Sequence, residues 1–156
     1  MKKILTVSMA ISIFSASANA IEYSCQLENN KLVSVVVENG KTPVYRYGTL
    51  GKTEITLPAN AKGRENIFVG KGMFSGGASS VYIRFQNGNY NYVLYDGEGK
   101  GWYYQGIVVY QGQKIISKKT CKPDSNLNLY SILDYDIPED SYDTGIDFQL
   151  DPNSQS

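Results

Sequence analysis

The two cysteines, Cys25 and Cys121, constrain the fold of this chain more than any other feature, because they lie near the two ends of its strand-rich region. In an exported chain two cysteines favour one disulfide, and only one connectivity is possible. In the chain-entropy model, a bond that closes a loop of about 100 residues stabilises a fold by about 4–5 kcal/mol. The chain has no histidine and no third cysteine. The ligand sets of a structural zinc site are therefore missing, and neither a metal nor a cofactor is predicted.

The N-terminus has the pattern of a secretory signal peptide. Lys2 and Lys3 are followed by an apolar run over residues 4–16 and by the small-residue pattern Ala18-Asn19-Ala20. The apolar run is shorter than the ~20 residues that a membrane-spanning helix needs. A buried N-terminal helix is the alternative interpretation. We expect a signal peptide over residues 1–20, location in the periplasm in preference to secretion from the cell, and no membrane anchor on the mature chain.

Short β-type runs separated by turn residues fill residues 21–121. The predicted strands cover residues 31–38, 44–49, 53–57, 67–69, 81–85, 90–95, 102–110 and 114–120. Asn87-Gly88 stands between two of these runs and favours a hairpin closed by a type I′ turn. Since no stretch has a sustained 3.6-residue apolar period, the fold class is predicted to be all-β, either a sandwich or a closed barrel. Because the cysteines join the first strand to the last, we predict a small antiparallel β-barrel of about eight strands over residues 21–122.

The charges are unevenly distributed, although the formal net charge is zero. Residues 21–121 carry 12 Lys and Arg against 7 Asp and Glu, whereas residues 122–156 carry one Lys against 8 acidic residues. We predict an acidic, partly disordered C-terminal tail over residues 123–156, in which residues 127–133 dock on the barrel as a short helix or an extra strand. The tail either only solubilises the protein, or it covers the basic domain or reaches for a basic partner.

Catalytic machinery is hard to place in this sequence. Without histidine the usual base for a serine or cysteine nucleophile is missing. Asp96 and Glu98 lie in a glycine-rich turn, where carboxylates are usually solvated. The glycines of residues 97–101 do not precede a helix, so they do not indicate a phosphate-binding loop. We predict no enzyme activity and no catalytic residue, and a glycosidase that uses Asp96 and Glu98 is kept as a minor alternative.

Aromatic residues are the most unusual part of the composition, with 13 tyrosines beside 5 phenylalanines and one tryptophan. A small core cannot bury so many hydroxyl groups with hydrogen-bond partners, so some tyrosines are expected on the surface, where they suit contact with a protein or a sugar. Residues 70–80 predict a flexible Gly/Ser-rich loop that carries Met73 and Phe74. These two side chains either plug the mouth of the barrel or anchor a partner. No clustered stripe of Lys and Arg supports nucleic-acid binding.

Three runs resemble the motifs of the bacterial periplasmic inhibitors of c-type lysozyme. They are Ser79-Ser80-Val81-Tyr82, Asn87-Gly88-Asn89-Tyr90, and residues 95–101, which begin with Tyr95 and contain Lys100-Gly101. That family consists of small β-barrels with a cysteine near each end, a Ser/Gly-rich segment that leads to a tyrosine, and a Thr-Lys-Gly or Ser-Lys-Gly element.

In the family the serine loop enters the lysozyme cleft and the Lys-Gly element borders it. The resemblance therefore implies that Ser79 or Ser80, Tyr82 and Lys100 contact the partner. The chain departs from the family pattern in having Gly99 where Thr or Ser is expected, a longer loop, Trp102 after the Lys-Gly element, and the acidic tail.

These observations predict a periplasmic, non-catalytic protein that binds and blocks a cell-wall-degrading enzyme, as a lysozyme inhibitor or as an immunity protein against an injected toxin. The predicted partner-binding residues are Met73, Phe74, Ser79, Ser80, Tyr82, Tyr95, Lys100 and Trp102. The alternative is a lipocalin-like small-ligand binder, or another envelope-associated binding protein, with its site inside the barrel.

Overall fold

Nine antiparallel strands form two sheets in the structure, which is a computed structural model that describes residues 19–59, 61–125, 127–140 and 148–150. The predicted signal segment lies outside the described residues, apart from residues 19 and 20. The first sheet has the order β1-β2-β3-β4, with β1 Ala20–Gln26, β2 Leu32–Glu38, β3 Val44–Thr49 and β4 Lys52–Leu57. The second has the order β5-β6-β7-β8-β9, with β5 Ile67–Phe74, β6 Ala78–Asn87, β7 Tyr90–Gly99, β8 Trp102–Gln111 and β9 Lys114–Thr120.

The predicted all-β class is confirmed, but no closed barrel is found among the described residues. Closure would require paired strands at both seams between the sheets. At one seam, Pro58 and a 3-10 helix, Ala61–Asn66, separate β4 from β5, so the chain passes from one sheet to the other without a hairpin. At the other seam a single bridge joins Leu27 to Cys121.

The predicted disulfide is confirmed. Cys25 and Cys121 are bonded, with their Cα atoms 5.7 Å apart. Backbone hydrogen bonds accompany the bond, since the Glu28 N–H donates to the Thr120 carbonyl at 3.0 Å and the Lys122 N–H donates to the Gln26 carbonyl at 2.7 Å. The ends of β1 and β9 are therefore neighbours, as the cysteine spacing indicates.

The main core lies between the two sheets and follows the two-residue alternation of their strands. Fully buried side chains from the first sheet, such as Val33 and Val35, face those of Val81, Ile83 and Phe85 from the second. Residues after the last strand complete this core: a second 3-10 helix spans Leu129–Asp134, and the core contains Leu127, Leu129 and Ile132. The expectation that residues 127–133 dock on the strands is borne out by these contacts.

The β6–β7 hairpin forms as predicted, but its turn is not of type I′. Asn87 pairs with Tyr90, so Gly88 and Asn89 are the two central residues of the turn. Only Gly88 has a positive φ, of 59°. A positive φ at the first central residue alone is the pattern of a type II′ turn, which requires glycine at that position.

The flexible loop predicted over residues 70–80 is wrong, because most of this stretch belongs to β5 and β6 and only residues 75–77 form the turn. Glycines inside these strands leave room for aromatic rings from a neighbouring position. A Cβ atom added to Gly70 would lie 2.2 Å from Cζ of Tyr82, the residue paired with it across the strands. Gly99 is covered in the same way by the indole of Trp102.

Candidate functional site

The outer face of the second sheet, which points away from the main core, carries an aromatic cluster. Tyr82, Tyr95 and Tyr104 belong to it together with Val93 and Val108, and all five are buried. Two residues near the C-terminus, Phe148 and Leu150, cover this cluster and are themselves buried. The outer face of this sheet is therefore packed against the chain's own C-terminal segment.

Hydrogen bonds fix the hydroxyl groups beneath this cover. The Tyr95 hydroxyl donates to the Phe148 carbonyl at 2.6 Å and lies 2.8 Å from the Tyr110 hydroxyl, while Tyr82 donates to Oδ2 of Asp140 at 2.9 Å. Burial raises the pKa of Tyr95 well above its ordinary value, and it also raises the pKa of Tyr104. Tyr95 and Tyr104 are therefore neutral structural groups, and neither is available to a partner while the segment is in place.

Arg84 is a buried charged residue in this outer face. Arg84 donates from Nε to Oδ2 of Asp140 at 2.9 Å, and its Nη2 donates to the other carboxylate oxygen. The guanidinium carbon lies 4.3 Å from the ring centre of Phe68 and 4.7 Å from that of Phe148. Nη1 also donates to Oδ1 of Asn91 at 2.7 Å. The planar cation is thus held between two rings and is paired with one carboxylate.

A second aromatic surface is exposed. Met73, Ser79, Glu98 and Tyr103 are consecutive neighbours across β5, β6, β7 and β8. Because side chains alternate between the two faces of a strand, these four residues lie on the inner face of the sheet. The same face packs on the main core at other positions along these strands. Tyr130, from the second 3-10 helix, lies beside them with its hydroxyl 2.8 Å from Oγ of Ser79. We call these five residues the Met73–Tyr103 row.

The Met73–Tyr103 row displays large side chains to solvent. Met73 is 88% exposed, Tyr103 59% and Tyr130 36%. The pKa of Tyr103 is raised by partial burial and by the negative charges of Asp96 and Glu98. The row is therefore an apolar and aromatic surface that includes one carboxylate, that of Glu98.

The structure divides the predicted partner-binding residues into three groups. Met73 and Ser79 lie in the exposed row, whereas Ser80, Tyr82 and Tyr95 are buried under the C-terminal segment. Phe74, Trp102 and Lys100 lie at the adjacent end of the sheet: the rings of Phe74 and Trp102 are 6.1 Å apart in a T-shaped contact, and Lys100 is exposed in the β7–β8 turn. The prediction therefore placed residues from both faces of one sheet in a single surface.

Sequence reasoning missed Tyr103 and Tyr130. Tyr103 follows Trp102 in β8, and the alternation of the strand separates the two side chains onto opposite faces. That alternation is visible in the sequence and would have singled out Tyr103 once the strand was placed. Tyr130 joins the row only because the segment after Cys121 folds back, which no local pattern indicates.

Asp96 has a structural role, because both of its carboxylate oxygens are occupied. Gln105 donates to Oδ1 at 2.9 Å, and the backbone N–H of Leu129 donates to Oδ2 at 2.8 Å. The carboxylate, 5% exposed, thereby ties β7 to the second 3-10 helix.

Within the described ranges no group of three or more potential metal ligands occurs, and no helix there is long and apolar enough to cross a bilayer.

The interior between the sheets is occupied by side chains, as the burial of the core shows. An open groove of about 410 Å³ lies instead on the first sheet, and its lining includes Glu22, Ser34 and Arg46.

Comparison with known protein families, with curated proteins and with solved structures found no match in any of the three.

Proposed function

We propose that this chain is a periplasmic, non-catalytic protein that binds and blocks a basic cell-wall-degrading enzyme, either a lysozyme-like hydrolase or an injected toxin. The observation that carries the proposal is the Met73–Tyr103 row, in which an exposed Met and two exposed tyrosines lie beside a carboxylate on a rigid sheet. Aromatic and Met side chains are enriched at protein interfaces, and a surface built on paired strands binds without the cost of ordering its backbone.

The choice of target rests on charge, on the disulfide and on the resemblance to lysozyme inhibitors. The carboxylate of Glu98 belongs to the row itself. Opposite charges accelerate association, so an enzyme with a positive surface suited to an acidic polymer would be met favourably by this carboxylate. The disulfide Cys25–Cys121 suits an oxidising compartment such as the periplasm. An inhibitor needs no acid–base group, since occlusion of the target's cleft is sufficient.

The contact surface proposed here differs from the one that the lysozyme-inhibitor resemblance implies. Ser80 and Tyr82 are buried, whereas Ser79 and Lys100 are accessible. We therefore assign binding to Met73, Tyr103 and Tyr130 together with Ser79, and we place Lys100, Phe74 and Trp102 at its border.

A lysis assay tests this proposal. The full mature chain is added to a c-type lysozyme and to cell-wall-cleaving toxins, and the clearing of a peptidoglycan suspension is followed. We expect inhibition of at least one of these enzymes, and a loss of at least tenfold in affinity for the double variant Met73→Ala/Tyr103→Ala, because central aromatic and Met contacts dominate interface energies.

Leu50→Ala is the matched control, since Leu50 is 89% exposed, as Met73 is, but lies in the β3–β4 turn of the other sheet. This variant should inhibit as well as the wild-type chain. The proposal is wrong if no enzyme of the panel is slowed, or if the double variant inhibits as well as Leu50→Ala does.

A further inference from the structure

The edge of the second sheet is extended by the chain's own C-terminal segment. β5 is the outermost strand of this sheet. The Val69 N–H donates to the Pro138 carbonyl at 2.9 Å, and the Asp140 N–H donates to the Val69 carbonyl at 2.8 Å, so that Glu139 lies parallel to Val69 as its bridge partner. Exposed strand edges are templates for the addition of a further strand. Here the edge receives an extended peptide.

Three anchors hold this segment on the sheet. The Asp140 carboxylate accepts hydrogen bonds from Arg84 and from the Tyr82 hydroxyl. Phe148 stacks on the same guanidinium, and Leu150 lies over Gly97. Together they show what the face holds: an extended backbone at the edge of β5, a carboxylate at Arg84, and apolar side chains further along.

Ser80 is a polar group of this face that the described residues of the segment leave unsatisfied. Its hydroxyl is fully buried and has no hydrogen-bond partner among the described residues. It lies beside the position covered by Leu150, because Leu150 and Ser80 both approach Gly97. A buried hydroxyl without a partner is unfavourable, and a ligand with a polar group at this point would satisfy it.

We propose that this face is a binding site for an extended acidic segment of a partner protein, and that residues 138–140 and 148–150 occupy it as a built-in competitor. The partner segment adds to β5, places a carboxylate on the Arg84 guanidinium in the position that Asp140 holds, and bonds the Ser80 hydroxyl. A second copy of this chain is a poorer occupant, since the described residues of its identical segment leave Ser80 without a partner. This site is separate from the Met73–Tyr103 row, so its failure would leave the proposed function standing.

Competition from within the chain sets the expected affinity. A segment tethered to its own site has a high effective concentration, which weakens binding of the same peptide in trans. If the segment is docked 99% of the time, the apparent dissociation constant of a competing peptide rises about 100-fold. A substitution that loosens the tethered segment should therefore strengthen binding in trans.

The probe is a fluorescent peptide of residues 136–150, titrated with the full mature chain. Phe148→Ala in the chain removes an apolar anchor without leaving Arg84 unpaired, and we expect it to strengthen peptide binding at least tenfold over the wild-type chain. The same peptide with Asp140→Asn should bind the Phe148→Ala chain at least tenfold more weakly. Leu150→Ala replaces Phe148→Ala in the assay if the latter loses its β-sheet circular dichroism.

Three outcomes overturn the proposal. The first is a folded Phe148→Ala or Leu150→Ala chain that does not bind the peptide, and the second is equal binding of the Asp140→Asn peptide. The third is a stable dimer of the wild-type chain that Asp140→Ala dissociates, because this would assign the face to a second copy.

Discussion

Replacing Asp140 by alanine should destabilise the protein by about 3 kcal/mol, because it leaves a buried cation without its partner. The side chain of Arg84 is 7% exposed and that of Asp140 is 12% exposed. Removing one partner of a buried ion pair typically costs about 3–5 kcal/mol. The lower end applies here, because Arg84 keeps its hydrogen bond to Asn91 and its contact with Phe68, and because detachment of the segment would let water reach the guanidinium.

Glu139→Ala is the matched control for this prediction. Glu139 is the preceding residue of the same segment and pairs with Lys71 at 3.6 Å, but the two side chains are 66% and 60% exposed. An exposed pair of this kind contributes less than about 1 kcal/mol. The two variants remove the same charge from adjacent positions, and they differ mainly in burial.

Urea denaturation followed by circular dichroism measures the difference. With a slope of about 1–3 kcal/mol per molar urea, Asp140→Ala should lower the midpoint by about 1–3 M, whereas Glu139→Ala should leave it nearly unchanged. The double variant Arg84→Met/Asp140→Ala should recover part of the loss, since it removes the unpaired charge. Equal midpoints for Asp140→Ala and Glu139→Ala would refute the reasoning.

Three further predictions concern the same sheet. Gly70→Ala should lower the free energy of unfolding by about 1–3 kcal/mol, because the new methyl group would occupy the place of the Tyr82 ring; an unchanged melting temperature would contradict this. Ser80→Ala should raise the melting temperature, since it removes a buried hydroxyl without a partner, and a fall would show that the hydroxyl is bonded. The raised pKa values of Tyr95 and Tyr104 imply that the stability from these neutral phenols is complete below about pH 10, the unfolded value, and is lost as the pH rises above it. Absorbance at 295 nm should show these two tyrosines ionising together with unfolding, and ionisation in a still-folded protein would contradict the prediction.

Local patterns predicted eight of the nine described strands, and the position of the cysteines predicted the disulfide. Alternation in β6 and β7, the turn at Gly88 and the position of the cysteines are local features, and the structure contains each of the predicted strands. The turn type was missed because Asn87-Gly88 was placed centrally, whereas the strands extend one residue further and centre Gly88-Asn89. The choice between a barrel and two sheets depends on pairing at the seams, which no single strand encodes.

Long-range packing explains the other differences. Glycines at positions 70 and 99 indicate loops locally, but they lie in strands because rings of Tyr82 and Trp102 cover them. Acidic composition indicated little fixed structure beyond Pro138, yet the described residues there make specific contacts, through Asp140 in particular; residues 141–147 and 151–156 lie outside the described part of the chain. In the candidate site, the exposure of Met73 could be predicted from the sequence. The burial of the predicted contact residues Ser80, Tyr82 and Tyr95 could not, because it depends on residues near the C-terminus such as Phe148 and Leu150.

Hydroxyl-radical footprinting of the tyrosines, read by mass spectrometry, tests the central claim most directly, because the account requires one displayed and one covered aromatic surface on the same sheet. We predict rapid modification of Tyr103 and slow modification of Tyr82, Tyr95 and Tyr104, in keeping with exposures of 59%, 3%, 0% and 3%. If Tyr82 and Tyr95 are modified as fast as Tyr103 in the folded protein, the C-terminal segment does not cover this face and the account is wrong.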